Sequence, residues 1–310
     1  MARRSSAADG LARPFLKWAG GKTQLLEEFA DLFPPELRKG EVRRYIEPVV
    51  GGGAVYFMVN GSFPVRECQI WDANPDLITA YSVVKKNPEG LIRRLREMES
   101  RYRALGEDER KAFYYRIRER FNDLHRKDLP GSDDPRAVQA TAALIFMNRT
   151  CYNGLYRVNS RGGFNVPFGK YRNPRILDEN GLLAASAVLG NTDVHLGDFT
   201  SCAPYVDEHT FVYLDPPYRP LSRTSSFTSY AQGGFSEGDQ RRLAALFRAL
   251  DRRGAKLMLS NSDPKNRDPD DTFFDDLYAG YRIERVPARR AINSVGRGRG
   301  RITELIITNY

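Results

Sequence analysis

The chain is poor in the residues that build metal and redox centres, with 3 cysteines and 3 histidines among 310 residues. Cys68, Cys151 and Cys202 lie far apart with no Cys-x-x-Cys pair, and His125, His195 and His209 are equally scattered. That spacing argues against a disulfide framework, a metal site and histidine-based catalysis, and makes a reducing compartment the expected setting. Long apolar runs are also missing, and none approaches the ~20 residues that cross a bilayer. The opening MARRSSAADGLAR starts with an Arg-Arg pair but lacks the apolar core of a secretory signal. The Gly-Lys-Thr at 21–23 invites a phosphate-loop reading. That motif needs a glycine five residues before Gly21, where the chain has Leu16, and it needs a preceding strand. A nucleotide triphosphatase is excluded on those grounds, and no clustered set of metal-binding carboxylates favours a nuclease.

Apolar residues at 41% and charged residues at 28% describe a globular chain with enough length for a sizeable core. The net charge of +9 is not evenly spread. Residues 91–176 carry 19 basic and 10 acidic side chains, whereas 1–44 carry a net +3, 45–90 a net −2 and 177–310 a net −1. A concentrated basic segment points to a polyanion, nucleic acid above all, with a solvated helical face as the alternative.

Short β-rich runs bounded by Gly, Pro, Asp or Asn predict strands at 45–50, 69–71, 194–196, 211–214, 256–260, 282–286 and 304–308. Helical spacing lies between them, for example at 23–32 and 236–250, where Ser236 followed by Asp239 marks a helix start. This alternation predicts an α/β fold with a mostly parallel sheet. The stretch 91–150 reads as helices outside the sheet, and 151–176 as a hairpin or loop. Residues 86–176 are therefore read as a helical insertion splitting one α/β domain formed by 1–85 and 177–310. The run DPKNRDPDD at 263–271 predicts an exposed loop.

Two local patterns carry chemistry. In the first, the strand at 45–50 runs from Glu47 and Pro48 into Gly51, Gly52 and Gly53, and then into a helix. Glycines there let the backbone turn tightly and approach a ligand, or simply make the turn. About twenty residues on, Asp72 ends the second strand, where an acid accepts from ribose hydroxyls or else caps the next helix. The pair implies an adenosine-type cofactor without saying which. In the second, the apolar run 211–214 leads into Asp215–Pro216–Pro217–Tyr218. Two prolines remove two backbone donors, so the tetrad presents a carboxylate, a carbonyl acceptor and an aromatic face. Those groups fit the NH2 of a planar heterocyclic amine.

Together these motifs resemble the Dam-type DNA adenine methyltransferase family, of the alpha class of amino methyltransferases. The resemblance takes in FLKWAGGK at 15–22, EPVVGGGAVYF at 47–57 and DANPDLI at 72–78. It continues through NRTCYNGLYRVNSRGGFNVPFGKY at 148–171, GDF at 197–199, DPPYRPLSRTSSFTSY at 215–230 and the arginine-rich end leading to ELIITNY. It implies a Rossmann-like methyltransferase with a mostly parallel seven-stranded sheet and an inserted helical target-recognition domain. The implied cofactor is S-adenosylmethionine, held by Trp18, Gly20, Lys22, Glu47, Gly51, Gly53, Asp72, Asp198, Phe199 and Asp215. The implied catalytic group is Asp215, Pro216, Pro217 and Tyr218. The implied DNA contacts are Lys17, Tyr152, Asn153, Leu155, Arg157, Asn159, Pro167 and Tyr171, with GATC as the expected target. Val49 stands where the family usually has Phe. The implied partner is double-stranded DNA in the cytoplasm, bound by a protein that is monomeric in solution, with a second copy on DNA as the alternative. Neither membrane nor metal is implied. Methylation of RNA, or DNA binding without catalysis, would be the competing functions. Glutamine methyltransferases generally carry Asn where this chain has Asp215.

Overall fold

The computed structural model describes residues 12–23, 25–125, 134–219, 235–288 and 302–310. The arginine-rich 289–301 segment and the PLSRTSSFTSY run beyond Arg219 lie outside them. All seven expected strands form: β1 (Arg44–Glu47), β2 (Glu67–Asp72), β3 (Thr192–Leu196), β4 (Thr210–Leu214), β5 (Lys256–Ser262), β6 (Arg282–Ala288) and β7 (Ile302–Thr308). They make one sheet in the order β3-β2-β1-β4-β5-β7-β6. β1 pairs parallel with β2 and β4, and β4 parallel with β5. β7 runs antiparallel to both β5 and β6. β1 stops at Glu47, short of the expected Val50, because Pro48 has no N–H to continue the ladder. Val50 N still donates to Trp71 O at 2.9 Å.

The helices, in order, are α1 (Leu26–Leu32), α2 (Pro35–Lys39), α3 (Ala54–Ser62), α4 (Pro75–Lys86) and α5 (Pro88–Ala104). They continue with α6 (Glu107–His125), α7 (Pro135–Thr150), α8 (Glu179–Val188), α9 (Glu237–Asp251) and α10 (Phe273–Leu277). Asx caps at Asn74, Asn87 and Asp134, each followed by proline, start α4, α5 and α7. The cap of α4 is Asn74 and not Asp72, which leaves Asp72 as the last residue of β2. Ser236 and Asp239 form a reciprocal capping box at α9. α1 starts at Leu26, later than the spacing suggested, and Leu25 N just before it donates to Lys22 O.

The chain divides into two compact units. One holds residues up to Gly21, then 51–62 and 74–194; the other holds 22–50, 63–73 and 195–310. In the first, α7 is buried on nearly every side and packs against α4, α5 and α6. This unit takes in the whole of 86–176 but reaches well beyond it. Residues 151–176 form a hairpin-like loop with antiparallel bridges from Cys151 to Phe168 and from Val158 to Phe164. In the second unit, α9 and α10 cover one sheet face through Leu243, Phe247, Phe274 and Tyr278, against Val212, Leu214, Leu257, Leu259, Leu305 and Ile307. All three cysteines are buried, and none is in a disulfide. Among the described residues no helix is long and apolar enough to cross a membrane. The expected exposed loop at 263–271 needs correction at its start. Asp263 is 2% exposed because it accepts from Lys265 N, Arg285 Nε and Thr303 Oγ1, locking the loop to β6 and β7.

Candidate active site

The second unit gathers the tetrad at the carboxyl end of β4. β4 is buried at all five positions, and Asp215 emerges at its end half-buried. Lys22, only 3% exposed, places Nζ 2.7 Å from both Asp215 carboxylate oxygens. The same ammonium stands 4.8 Å from the centre of the Tyr218 ring. Ser260, from β5, donates to Asp215 Oδ1 at 2.9 Å. Pro216 is buried and Pro217 exposed, with the Pro217 carbonyl accepting from Gln240 Nε2 at 3.3 Å. Burial, then the Asp215 charge, pushes the Tyr218 phenol far above its ordinary value, so the ring stays neutral. Burial also raises the Glu304 carboxyl, against the opposing pull of Lys22. Lys22 is thus paired with Asp215, another of the residues expected at the cofactor.

Other expected cofactor residues of this unit lie along strand ends. Glu47 is 2% exposed and accepts from Tyr45 Oη at 2.7 Å. Asp72 ends β2, and its carbonyl accepts from Gly197 N at 3.1 Å. Asp198 caps the short 3-10 helix Phe199–Tyr205 and is paired with Arg242 at 3.0 Å. Burial opposes ionisation of Asp198, but hydrogen bonds from Thr200 and Arg242 outweigh it and lower its pKa. Phe199 is buried beside Trp71 in the core cluster, with the Arg242 guanidinium 5.0 Å from its ring centre. Val49, where an aromatic was usual, packs partly buried against the same cluster.

The first unit holds the remaining expected residues in two groups. Trp18 lies against the backbone of Gly51 and Gly52, and tilts against the Tyr156 ring at 5.1 Å. Gly53 has φ +70°, and a Cβ there would fall 2.4 Å from the Tyr81 hydroxyl, so only glycine fits. Gly20, also left-handed at φ +77°, has nothing within 4 Å of where a Cβ would stand. Asn148 ties the opening motif to the 151–176 loop: its Oδ1 accepts from Lys17 N, and its Nδ2 donates to the carbonyls of Lys17 and Gly154.

Among the expected DNA contacts, Lys17, Tyr152, Asn153, Arg157, Asn159 and Pro167 are exposed, and Leu155 and Tyr171 half-buried. Tyr152 is 55% exposed, although it is a large ring. Asn153 adopts φ +54°, an uncommon conformation for a residue with a side chain. Lys17 stands 5.5 Å from the Tyr171 ring centre. Arg157 Nε donates to Asn165 Oδ1 at 2.8 Å. Asn159 spends its side-chain oxygen within the loop, accepting from the backbone of Arg161 and Gly163. Sequence reasoning missed Ser260, Gln240, Asn148 and Asn165 as supporting residues. Their partners lie 45, 23, 131 and 8 positions away, so only the fold reveals the first three pairings.

A sheet of this order, with a glycine turn after β1 and the prolyl tetrad after β4, is that of a Rossmann-like methyltransferase. A family model described as D12 class N6 adenine-specific DNA methyltransferase matches residues 18–292, and the chain belongs to that family. Type II methyltransferase M.MjaIII of Methanocaldococcus jannaschii is 48% identical over 299 residues, covering 96% of this chain and 99% of that protein. Type II methyltransferase M1.LlaDCHI of Lactococcus lactis is 38% identical, covering 96% and 95%. The DNA adenine methylase of Escherichia coli K12 is 33% identical, covering 95% and 94%. The chain is thus an adenine-specific DNA methyltransferase by family, with DNA as substrate and a methyl donor as co-substrate.

Proposed function

We propose that the protein transfers a methyl group from S-adenosylmethionine to the exocyclic amine of adenine in duplex DNA, at GATC. The reading is carried by Asp215, a half-buried carboxylate at a strand end, followed by two prolines and a neutral aromatic ring. Adenine's amine is buried in the base stack, so the target nucleotide must be extruded before reaction. Its lone pair is delocalised into the ring. Asp215 and the Pro216 carbonyl accept its two hydrogens, which favours a tetrahedral nitrogen with an available lone pair. Tyr218 supplies the face on which the purine stacks. Alignment of the amine contributes much of the rate, and Asp215 stabilises the positive charge that develops on nitrogen. The proton then leaves to solvent. Lys22, which occupies both carboxylate oxygens, must share or yield them when the amine arrives.

Bound S-adenosylmethionine supplies an electrophilic methyl group. Trp18, Gly20, Gly51 and Gly53 are assigned to hold it, together with Lys22, Glu47, Asp72, Asp198, Phe199 and Asp215. The side-chain-free space at Gly20 suits close approach of a cofactor. Asp72 stands at the carboxyl end of β2, where an acid meets ribose hydroxyls. Lys17, Tyr152, Asn153, Leu155, Arg157, Pro167 and Tyr171 are assigned to the DNA, with Arg157 reading guanine. Acting on DNA, the protein is assigned to the cytoplasm, at the nucleoid. The test is transfer of labelled methyl groups to duplexes bearing GATC or single-base variants of it. Selective transfer to GATC is expected, and equal transfer to all duplexes rejects the specificity.

A further inference from the structure

Two consecutive residues near the end of β5, Ser260 and Asn261, are fully buried and polar. Neighbours on a strand point to opposite faces, and each of these two reaches a different part of the tetrad. On one face Asn261 Nδ2 donates to Gln240 Oε1 at 3.4 Å, and Gln240 holds the Pro217 carbonyl. On the other, Ser260 Oγ donates to Asp215 Oδ1 at 2.9 Å and lies 2.7 Å from the Tyr213 hydroxyl. A serine hydroxyl has one proton. With that proton given to Asp215, Tyr213 must be the donor to Ser260. Burial and the Asp215 charge both keep the Tyr213 phenol protonated. The protons therefore run one way, from Tyr213 to Ser260 to Asp215. Among the described residues, Oδ1 of Asp215 accepts from Ser260 and Lys22, and Oδ2 from Lys22.

We propose that Ser260, backed by Tyr213, is a positioning residue for methyl transfer that pins Asp215 Oδ1 and presents Oδ2 to the target amine. This rests on the reading of Asp215 as the acceptor of that amine. Lys22 cannot do this work alone, because it bonds both oxygens and must loosen when the amine binds. Ser260 bonds one oxygen and stays in place. Without it the carboxylate can rotate, and small misalignments of reacting groups cost large factors in rate.

The test is steady-state methyl transfer to a GATC duplex by wild type, Ser260→Ala, Ser260→Thr, Tyr213→Phe and the double variant Ser260→Ala/Tyr213→Phe, with thermal melts of each. Ser260→Ala should lower kcat by roughly 10- to 100-fold, with KM for both substrates nearly unchanged. Ser260→Thr keeps the hydroxyl and should recover most of that loss. Tyr213→Phe should cost less than Ser260→Ala, and the double variant no more, because Tyr213 acts through Ser260. A wild-type kcat in Ser260→Ala, a change confined to KM, or additive losses would overturn the proposal. If Ser260→Ala does not melt cooperatively, the other two single variants decide: a wild-type kcat in Tyr213→Phe, or a Ser260→Thr that folds but is inactive, overturns it. A wild-type protein that transfers no methyl group to adenine overturns the underlying reading, whereas an active wild type with an equally active Ser260→Ala overturns this inference alone.

Discussion

Removing Asp215 should destabilise the protein as well as silence it. Lys22 is 3% exposed and Asp215 20%, with the ammonium 2.7 Å from both oxygens. Deleting one member of a buried ion pair costs about 3–5 kcal/mol, because the other charge stays behind. Glu304 pulls on the same ammonium, which places Asp215→Ala at the lower end, about 3 kcal/mol. At ~2.1 cal/mol/K of unfolding entropy per residue, a chain of 310 residues loses about 1.5 °C of Tm per kcal/mol, so a fall of about 4–5 °C is expected. Lys22→Met leaves a carboxylate that is a fifth exposed and still bonded by Ser260, and should cost about 1–2 kcal/mol. Combining Lys22→Met with Asp215→Ala removes both charges, so the double variant should be more stable than the sum of the singles by about 1–3 kcal/mol. Urea and thermal unfolding of the four proteins measure this cycle, while labelled methyl transfer follows activity. Transfer by Asp215→Ala should drop by at least ~1,000-fold with duplex binding retained. Additive stabilities, or an Asp215→Ala protein that melts above wild type, would refute the ion-pair reasoning. Near-wild-type turnover would refute the mechanism.

Arg157→Ala should relax discrimination at one base, by about 1–3 kcal/mol between correct and incorrect duplexes, more than it weakens non-specific binding; equal weakening on all duplexes in a fluorescence titration would make it a phosphate contact. Gly53→Ala places a Cβ against the Tyr81 hydroxyl at φ +70°, and should cost about 2–4 kcal/mol against about 1–2 for Gly20→Ala, where only the backbone conformation is strained. Equal denaturation midpoints for the two would contradict the packing described. Asp198 is depressed below its ordinary value, so its contribution to stability is full above the unfolded pKa and is lost as pH falls through the folded one. Arg242→Ala should therefore destabilise at pH 7, and the gap to wild type should narrow as acid protonates Asp198 and Asp239, the two depressed carboxylates paired with Arg242; a gap undiminished in acid would assign the effect to packing on Phe199.

The strands were legible because buried parallel strands are short β-rich runs between turn residues, and β4 is the clearest case. Their ends were not, because backbone chemistry sets them: Pro48 ends β1 before two valines that read as strand. Asp72 illustrates an ambiguity that local sequence cannot remove, since Asp and Asn are equally good caps; the structure gives the cap to Asn74. Asp263 read as loop because it sits among Pro, Asn and Asp. Its burial depends on Arg285 and Thr303, both on distant strands. The tetrad was legible as chemistry, whereas its supports, Ser260 and Gln240, were invisible because each lies in an ordinary-looking strand or helix and meets the tetrad only through the fold.

The way the chain alternates between its two units has a practical consequence for building chimeras. It passes from one to the other at 21/22, 50/51, 62/63, 73/74 and 194/195. Exchanging residues 86–176 between relatives, as the sequence invites, would cut at the last residue of α4 and carry Tyr156 away from Asp76, whose Oδ2 accepts from its hydroxyl at 2.6 Å. It would also part Asn148 and Arg149 from the backbone of Lys17 and Phe15. A graft should instead take 74–194 together with the 12–21 segment, so that the 151–176 loop arrives with the backbone to which Asn148 and Arg149 bind.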